Sequence, residues 1–184
     1  KKPFRRGKYI LIPTSEEYIL LFHLGMSGTI KILNGEYKVF KHDHVKINIE
    51  TEDNNIFTIV YNDPRRFGYF KILSNKFIHQ PPLKNLGPDP FSSSFNFKYI
   101  DNYIKKKKKN IKNLLMDQSF VGGIGNIYAN EILFHCQLNP HKKISELNKK
   151  NIFQILRNTR KVLRKAILFG GSTIKDFRRT DGKS

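Results

Sequence analysis

The sequence predicts an α+β chain: a partial antiparallel β-sandwich over residues 1–84, then an all-helical domain over 85–184. Three observations carry this. Period-2 alternation of apolar and polar residues is confined to the first part. A Pro- and Gly-rich break follows at Gln80-Pro81-Pro82 and Leu86-Gly87-Pro88-Asp89-Pro90. Beyond it the apolar residues recur at helical spacing.

In chain order, Lys8–Ile12 and Tyr18–Leu24 are rich in strand formers and flank the turn-like Pro13-Thr14-Ser15. Asn34-Gly35, between Thr29–Leu33 and Tyr37–Phe40, signals a hairpin. Val45, Ile47 and Ile49 alternate with Lys46, Asn48 and Glu50, and Phe57, Ile59 and Tyr61 with Thr58, Val60 and Asn62. Such alternation predicts strands with one buried and one wet face. Short, closely spaced strands fit a sandwich or barrel rather than a parallel sheet. In the second part, helices are expected over Ile111–Gln118 and Asn126–Phe134. A third follows the stripe Ile152, Ile155, Leu156, Thr159, Val162, Leu163, Ala166 and Ile167, with Gly170-Gly171 as its stop.

Lys and Arg number 34 against 15 Asp and Glu, a formal net charge of +19. Such a surface repels itself unless an anionic partner is bound, and nucleic acid leads a membrane surface as that partner. No apolar run approaches the ~20 residues that span a bilayer, and no signal peptide is visible. The single cysteine, Cys136, excludes an internal disulfide or a multi-cysteine zinc cluster within these residues and suits a reducing cytoplasm. The chain opens Lys1-Lys2-Pro3-Phe4 without a methionine and stops at Asp181-Gly182-Lys183-Ser184, so a fragment is expected.

Six stretches carry candidate chemistry. Val121-Gly122-Gly123-Ile124-Gly125-Asn126 lies between two helices. Glycine lets backbone approach a ligand, and free amides opening the second helix suit a phosphate; a tight turn in a core is the competing reading. Asn62-Asp63-Pro64-Arg65-Arg66-Phe67-Gly68 follows a strand. Its arginines can bind phosphate and its aromatic ring can fill a base-sized gap, or Asp63 can pair with Arg65 or Arg66 in an ordinary loop. In His23-Leu24-Gly25-Met26-Ser27-Gly28, Met26 either stands exposed as an apolar wedge or tucks into the core. His42-Asp43-His44 puts two imidazoles on one strand face, but zinc wants a third protein ligand that spacing does not supply, so no metal site is expected. Lys105–Lys109 with Lys112 forms either a solvated face or a phosphate-binding wall. Lys8, beside Arg5 and Arg6, either sits at the surface or has its pKa lowered by like charges, which suits proton transfer.

Taken together and in order, these stretches resemble the formamidopyrimidine-DNA glycosylase family: Arg5–Lys8–Tyr9, HLGMSG at 23–28, HDHV at 42–45, DPRRFG at 63–68, LGPDP at 86–90, the lysine block, LMDQSFVGGIGNIYANEILF at 115–134 and GGSTIKDF at 170–177. The resemblance implies a β-sandwich joined to a helix–two-turn–helix domain, with damaged double-stranded DNA between them and the lesion flipped out. It implies that Met26, Arg65 and Phe67 fill the resulting void. His23, His42, Arg65, Lys107 and Gly123 would contact DNA, Lys112 and Asn126 would hold phosphate, and Lys8 would serve the strand-cleaving elimination. The implied activity is removal of oxidised purines, 8-oxoguanine and formamidopyrimidines, with abasic-site lyase action by a cytoplasmic, nucleoid-associated bacterial monomer. The family's nucleophile is an N-terminal proline followed by a glutamate. Position 1 here is lysine, so this chain alone is expected to be inactive. The family's four-cysteine zinc finger is expected beyond the chain, and the loop over the flipped base is expected to begin near Arg178–Ser184. The alternatives are a non-catalytic damaged-DNA-binding relative, an endonuclease VIII-type enzyme for oxidised pyrimidines and, on charge alone, a ribosomal-type RNA-binding protein.

Overall fold

The computed structural model describes residues 2–171 except Glu36, Glu52, Asn75 and Lys106. The expected loop near Arg178–Ser184 and most of the 170–177 stretch lie outside the described residues. Among the described residues, contacts divide the chain into two compact units: one built on residues 9–74, the other on 76–171 together with Arg5–Lys8. The division falls ahead of residue 84, because the short 3-10 turns Phe77–His79 and Leu83–Asn85 group with the helices.

The first unit is antiparallel β, and of its strands only the first, Phe4–Arg6, is shared, with Arg5 and Arg6 grouping with the second unit. One sheet has the order β1-β2-β3-β7, from Phe4–Arg6, Tyr9–Pro13, Ile19–His23 and Tyr69–Leu73. The other has the order β4-β6-β5, from Thr29–Asn34, Ile56–Asn62 and Asp43–Glu50. Leu20 and Phe22 of β3 and Ile59 and Tyr61 of β6 form a shared core, with Ile10, Ile12, Ile30, Val45, Ile47, Ile49 and Phe70 packed against it. Strand β5 alternates as expected, with Val45, Ile47 and Ile49 turned inward. Strand β6 does not. Thr58 and Val60 are buried as well, because β6 is the central strand of its sheet. Thr58 satisfies its hydroxyl by donating to Gly35 O at 2.9 Å.

The Asn34-Gly35 hairpin is not formed. Residues 37–40 are not a strand, and β4 pairs with β6. Gly35, in the left-handed region at φ 75°, instead ends β4 with its amide on Ile56 O. The expected histidine face fails as well. His42 precedes β5 in left-handed backbone at φ 72°, and the register shifts between Asp43 and Val45. The regular alternation that would align His42 with His44 is therefore broken.

The second unit holds α1 (Phe97–Ile104), α2 (Ile111–Met116), α3 (Asn126–Cys136) and α4 (Lys149–Leu168). Helix α4 buries Ile152, Ile155, Thr159 and Val162 in a core shared with Phe95, Ile111, Phe120, Ile124 and Ile132. Its predicted stripe runs out early, and Ile167 is 67% exposed. Gly171 N donates to Ala166 O and Gly170 N to Ile167 O, with both glycines at positive φ. This is a Schellman stop at the predicted place. Asparagine side chains cap α1, α2 and α4: Asn96, Asn110 and Asn148 each accept from a first-turn amide. Helix α3 begins at Gly125 with no side-chain cap.

Candidate nucleic-acid interface

Two constellations emerge, one in each unit. In the β unit, two turns are clasped around Asp63, which is fully buried. Its Oδ1 accepts from Ser27 Oγ at 2.6 Å, and its Oδ2 accepts from Gly68 N at 2.8 Å and Tyr61 Oη at 3.1 Å. Ser27 Oγ also accepts from Arg65 N at 3.3 Å. Burial alone would raise the Asp63 pKa, but the Ser27, Gly68, Tyr61 and Arg65 donors outweigh it and hold the carboxylate below its ordinary value. The neighbouring Tyr61 is pushed up to about 12 by burial and then by the Asp63 charge. The turns also touch through backbone. A Cβ on Gly25, itself at φ 62°, would lie 2.5 Å from Gly68 N and 2.6 Å from the Phe67 carbonyl carbon.

What the clasp presents is apolar and cationic. Met26 is 71% exposed and Phe67 55% exposed, and the Arg65 guanidinium lies 4.8 Å above the Phe67 ring. Met26 therefore does not tuck into the core. No ion pair joins Asp63 to the Arg65 or Arg66 side chain among the described residues; its carboxylate accepts instead from Ser27, Tyr61 and Gly68. His23 closes the base of the Met26 turn. Its Nδ1 accepts from Gly25 N at 3.2 Å, and its ring stacks on Tyr69 at 5.4 Å. His42 contributes its carbonyl to Asp63 N, and His44 Nε2 lies 2.9 Å from Asp63 O.

In the helical unit, the glycine turn is braced by Gln118. Gly123 N donates to Gln118 Oε1 at 2.9 Å, and Gln118 Nε2 donates to Ile124 O at 2.8 Å. Asp117 holds the preceding turn by accepting from the Ser119 amide and hydroxyl and from Lys109 Nζ at 2.6 Å. Although burial would raise it, these donors bring the Asp117 pKa down to about 2. The amides of Asn126, Ile127 and Tyr128 lack intrahelical acceptors, Asn126 is exposed, and the helix dipole directs positive potential there. The three-glycine turn thus opens an uncapped helix whose free amides suit an anion.

The Arg5–Lys8 segment packs against this turn. Arg5 pairs with Asp89 at 2.7 Å and donates to Gly7 O, and Arg6 donates to Gly87 O at 2.8 Å. Lys8 Nζ comes within 3.2 Å of where a Cβ on Gly125 would lie. Desolvation by burial lowers the Lys8 pKa. The cause is burial rather than the expected like-charge repulsion, since both arginines are directed elsewhere. Lys8 lies in the turn before β2, not in the strand. The LGPDP stretch is also more than a linker. Gly87 N donates to Gln118 O, Gly122 N donates to Pro88 O, and a Cβ on Gly87 would lie 2.5 Å from the Phe120 carbonyl carbon.

The lysine block is not a uniform wall. Lys105 pairs with Asp101 and Lys109 with Asp117, while Lys107 lies 5.9 Å above the Tyr103 ring. Lys108 is exposed and Lys112 half-buried, and neither has an acidic partner among the described residues. No group of three or more His, Cys, Asp or Glu side chains converges among the described residues, so none of them forms a donor set that fits zinc. No described helix is long and apolar enough to cross a membrane. The Asp63 clasp leaves no local pattern in the sequence, because Ser27 and Asp63 lie 36 residues apart, and the Gln118 brace is a side-chain contact that residue periodicity does not mark.

A family model for the formamidopyrimidine-DNA glycosylase N-terminal domain matches residues 1–70, and one for the H2TH domain of the same glycosylase matches residues 86–178. The chain belongs to the formamidopyrimidine-DNA glycosylase family. It is 43% identical over 179 residues to the formamidopyrimidine-DNA glycosylase of Hahella chejuensis, covering 97% of this chain and 64% of that relative. To the Rickettsia massiliae enzyme it is 37% identical, covering 97% and 63%. Among solved structures, the MutM (Fpg) protein of Thermus thermophilus superposes with a TM-score of 0.85 at 32% identity, covering 98% of this chain and 65% of that one. The Lactococcus lactis Fpg in complex with DNA containing an abasic site superposes with a TM-score of 0.84 at 29% identity, covering 97% and 64%. The chain thus spans a little under two thirds of the length of these relatives. Both constellations fall inside the two matched domains of the glycosylase family.

Proposed function

We propose that this chain supplies the damaged-DNA recognition of a base-excision DNA glycosylase with abasic-site lyase action, acting on oxidised purines in duplex DNA. The observation that carries the reading is the exposed Met26, Arg65 and Phe67 set, held in two clasped turns by a buried carboxylate. An exposed methionine and phenylalanine cost solubility unless they have a use, and an apolar wedge with a guanidinium beside it suits the gap left by a flipped nucleotide. The glycine turn, Lys112 and Asn126 suit the backbone phosphates, with Lys107, His42, His23 and Gly123 as further contacts. Lys8 is the proton-transfer group for strand cleavage, because desolvation raises the fraction of neutral amine able to take a proton. The lysine lies beside the uncapped start of α3, so a phosphate held there would also orient the sugar it serves.

The test is binding to a duplex carrying a stable abasic analogue, compared with the same duplex undamaged, over a salt series. Preference for the abasic duplex, reduced by Met26→Ala or Phe67→Ala, supports the reading. Equal binding to both, with only a steep salt slope, refutes it and leaves a basic surface alone. Lesion preference without strand cleavage by the full native protein would favour a non-catalytic damaged-DNA-binding relative.

A further inference from the structure

Helix α4 carries a surface that neither constellation uses. Residues 149–168 contain no Asp or Glu. Opposite the stripe that buries Ile152, Ile155 and Val162, the helix exposes Arg157, Lys161, Arg164 and Lys165, at spacings of three, four and eight. Among the described residues none of these four has an acidic partner; Arg164 only lies 5.7 Å above the Phe91 ring. By contrast, Arg160, one step round the helix, is consumed by the carbonyls of Pro90, Ser92 and Phe95. The exposed cations form a ridge about 12 Å long, which matches the rise of roughly three to four base pairs.

The ridge shares no residue with the glycine turn or with the Asp63 clasp. Val121 and Ile124 pack in the same cluster as Ile155 and Val162, from which the ridge points away. We propose that the outer face of α4 is a second, lesion-independent surface for the phosphodiester backbone of duplex DNA, so that one chain can hold a second duplex segment while the first is inspected. This goes beyond the lesion-binding reading and does not depend on it.

A nucleic acid suits the ridge better than other anions. An interfacial membrane helix needs its apolar face free, and that of α4 is buried in the core. The exposed large apolar residues of this segment flank the ridge, with Phe153 before it and Ile167, Leu168 and Phe169 past it. An acidic protein partner would want a desolvated aromatic anchor among the charges. Of the exposed rings here, Phe153 is stacked on Phe97 at 4.6 Å, and Phe169 lies past the last cation at the helix end. A row of cations without an anchor fits a regular row of phosphates.

The experiment counts undamaged duplexes, about one helical turn long, bound to the full native protein at low salt by native mass spectrometry and titration calorimetry. Two binding events per chain are expected. A triple Arg157→Gln, Lys161→Gln, Lys165→Gln variant should lose the weaker event and keep its preference for an abasic duplex. Its log–log salt slope for undamaged DNA should fall by about 3, roughly one per phosphate released. The corresponding Glu triple should do the same more strongly, with unfolding curves checking that both variants fold. The proposal is overturned by a single binding event in the native protein, by retention of both events in the folded Gln variant, or by equal loss of abasic preference. It is also overturned if phosphatidylglycerol vesicles bind through these residues while the second duplex event is absent.

Discussion

Replacing the buried carboxylate at the clasp, Asp63→Asn, should both destabilise the protein and loosen the lesion-sensing turns. Asp63 accepts from three donors, Ser27 Oγ at 2.6 Å, Gly68 N at 2.8 Å and Tyr61 Oη at 3.1 Å. An asparagine can keep its oxygen toward Gly68 and Tyr61 only by turning its amide toward Ser27. The Ser27 hydroxyl must then accept from that amide while still serving Arg65 N. Losing charge assistance on two or three bonds, at ~1 kcal/mol each, sets the cost at about 2–3 kcal/mol. That is a drop of roughly 5–10 °C in Tm for a chain of this size.

The pH dependence has a defined sign. The folded pKa of Asp63 is depressed, so its stabilisation is full above the unfolded value of about 4. It is lost as pH falls through the lower folded value. The gap between native and variant should therefore be widest near neutrality and close in acid. Thermal unfolding followed by circular dichroism from neutral to acidic pH measures it. An Asp63→Asn protein within about 0.5 kcal/mol of native at neutral pH, or a gap that does not narrow in acid, would refute the clasp.

Other perturbations follow from the same geometry. Gly87→Ala puts a Cβ 2.5 Å from the Phe120 carbonyl carbon, so denaturant unfolding should show a loss of about 2–3 kcal/mol or more. Lys109→Ala should remove the donor that most lowers Asp117, whose pKa stands at about 2. The resulting loss, about 1 kcal/mol after allowing for solvent screening, should be present above about pH 4 and absent once the pH falls through about 2. Lys8→Gln in the full native protein should slow strand cleavage by on the order of 10²–10⁴, while binding to an abasic analogue by gel shift changes little. A cleavage rate equal to native would remove Lys8 from the chemistry.

Much of this was legible in the sequence. Period-2 runs gave β5, the 3.6-residue stripe gave α4, and Gly170-Gly171 gave its stop, because each is a local pattern read against one buried face. The failures were also local patterns, overruled by tertiary pairing. Asn34-Gly35 has ideal hairpin chemistry, but β4 finds a better partner in β6, and the glycine serves as a strand end. His42 and His44 share a face only in an unbroken strand, and the irregularity at Asp43 breaks it. Thr58 and Val60 look wet because periodicity cannot tell an outer face from one that is covered. The candidate residues were legible as motifs, but their support was not. Ser27 reaches Asp63 across the sheet, Gln118 brackets the glycine turn, and Arg5–Lys8 joins the helical unit far along the chain, none of which spacing alone can encode.

In the proposed lesion recognition, Met26, Arg65 and Phe67 enter the duplex. The most direct measurement places 2-aminopurine opposite a stable abasic analogue and follows its fluorescence as the protein binds. Insertion should unstack the opposite base, so fluorescence should rise with the native protein and stay near the free-duplex level with Phe67→Ala or Met26→Ala at saturating protein. Unchanged fluorescence with fully bound native protein, or an equal rise with both variants, would contradict the claim that these side chains fill the gap.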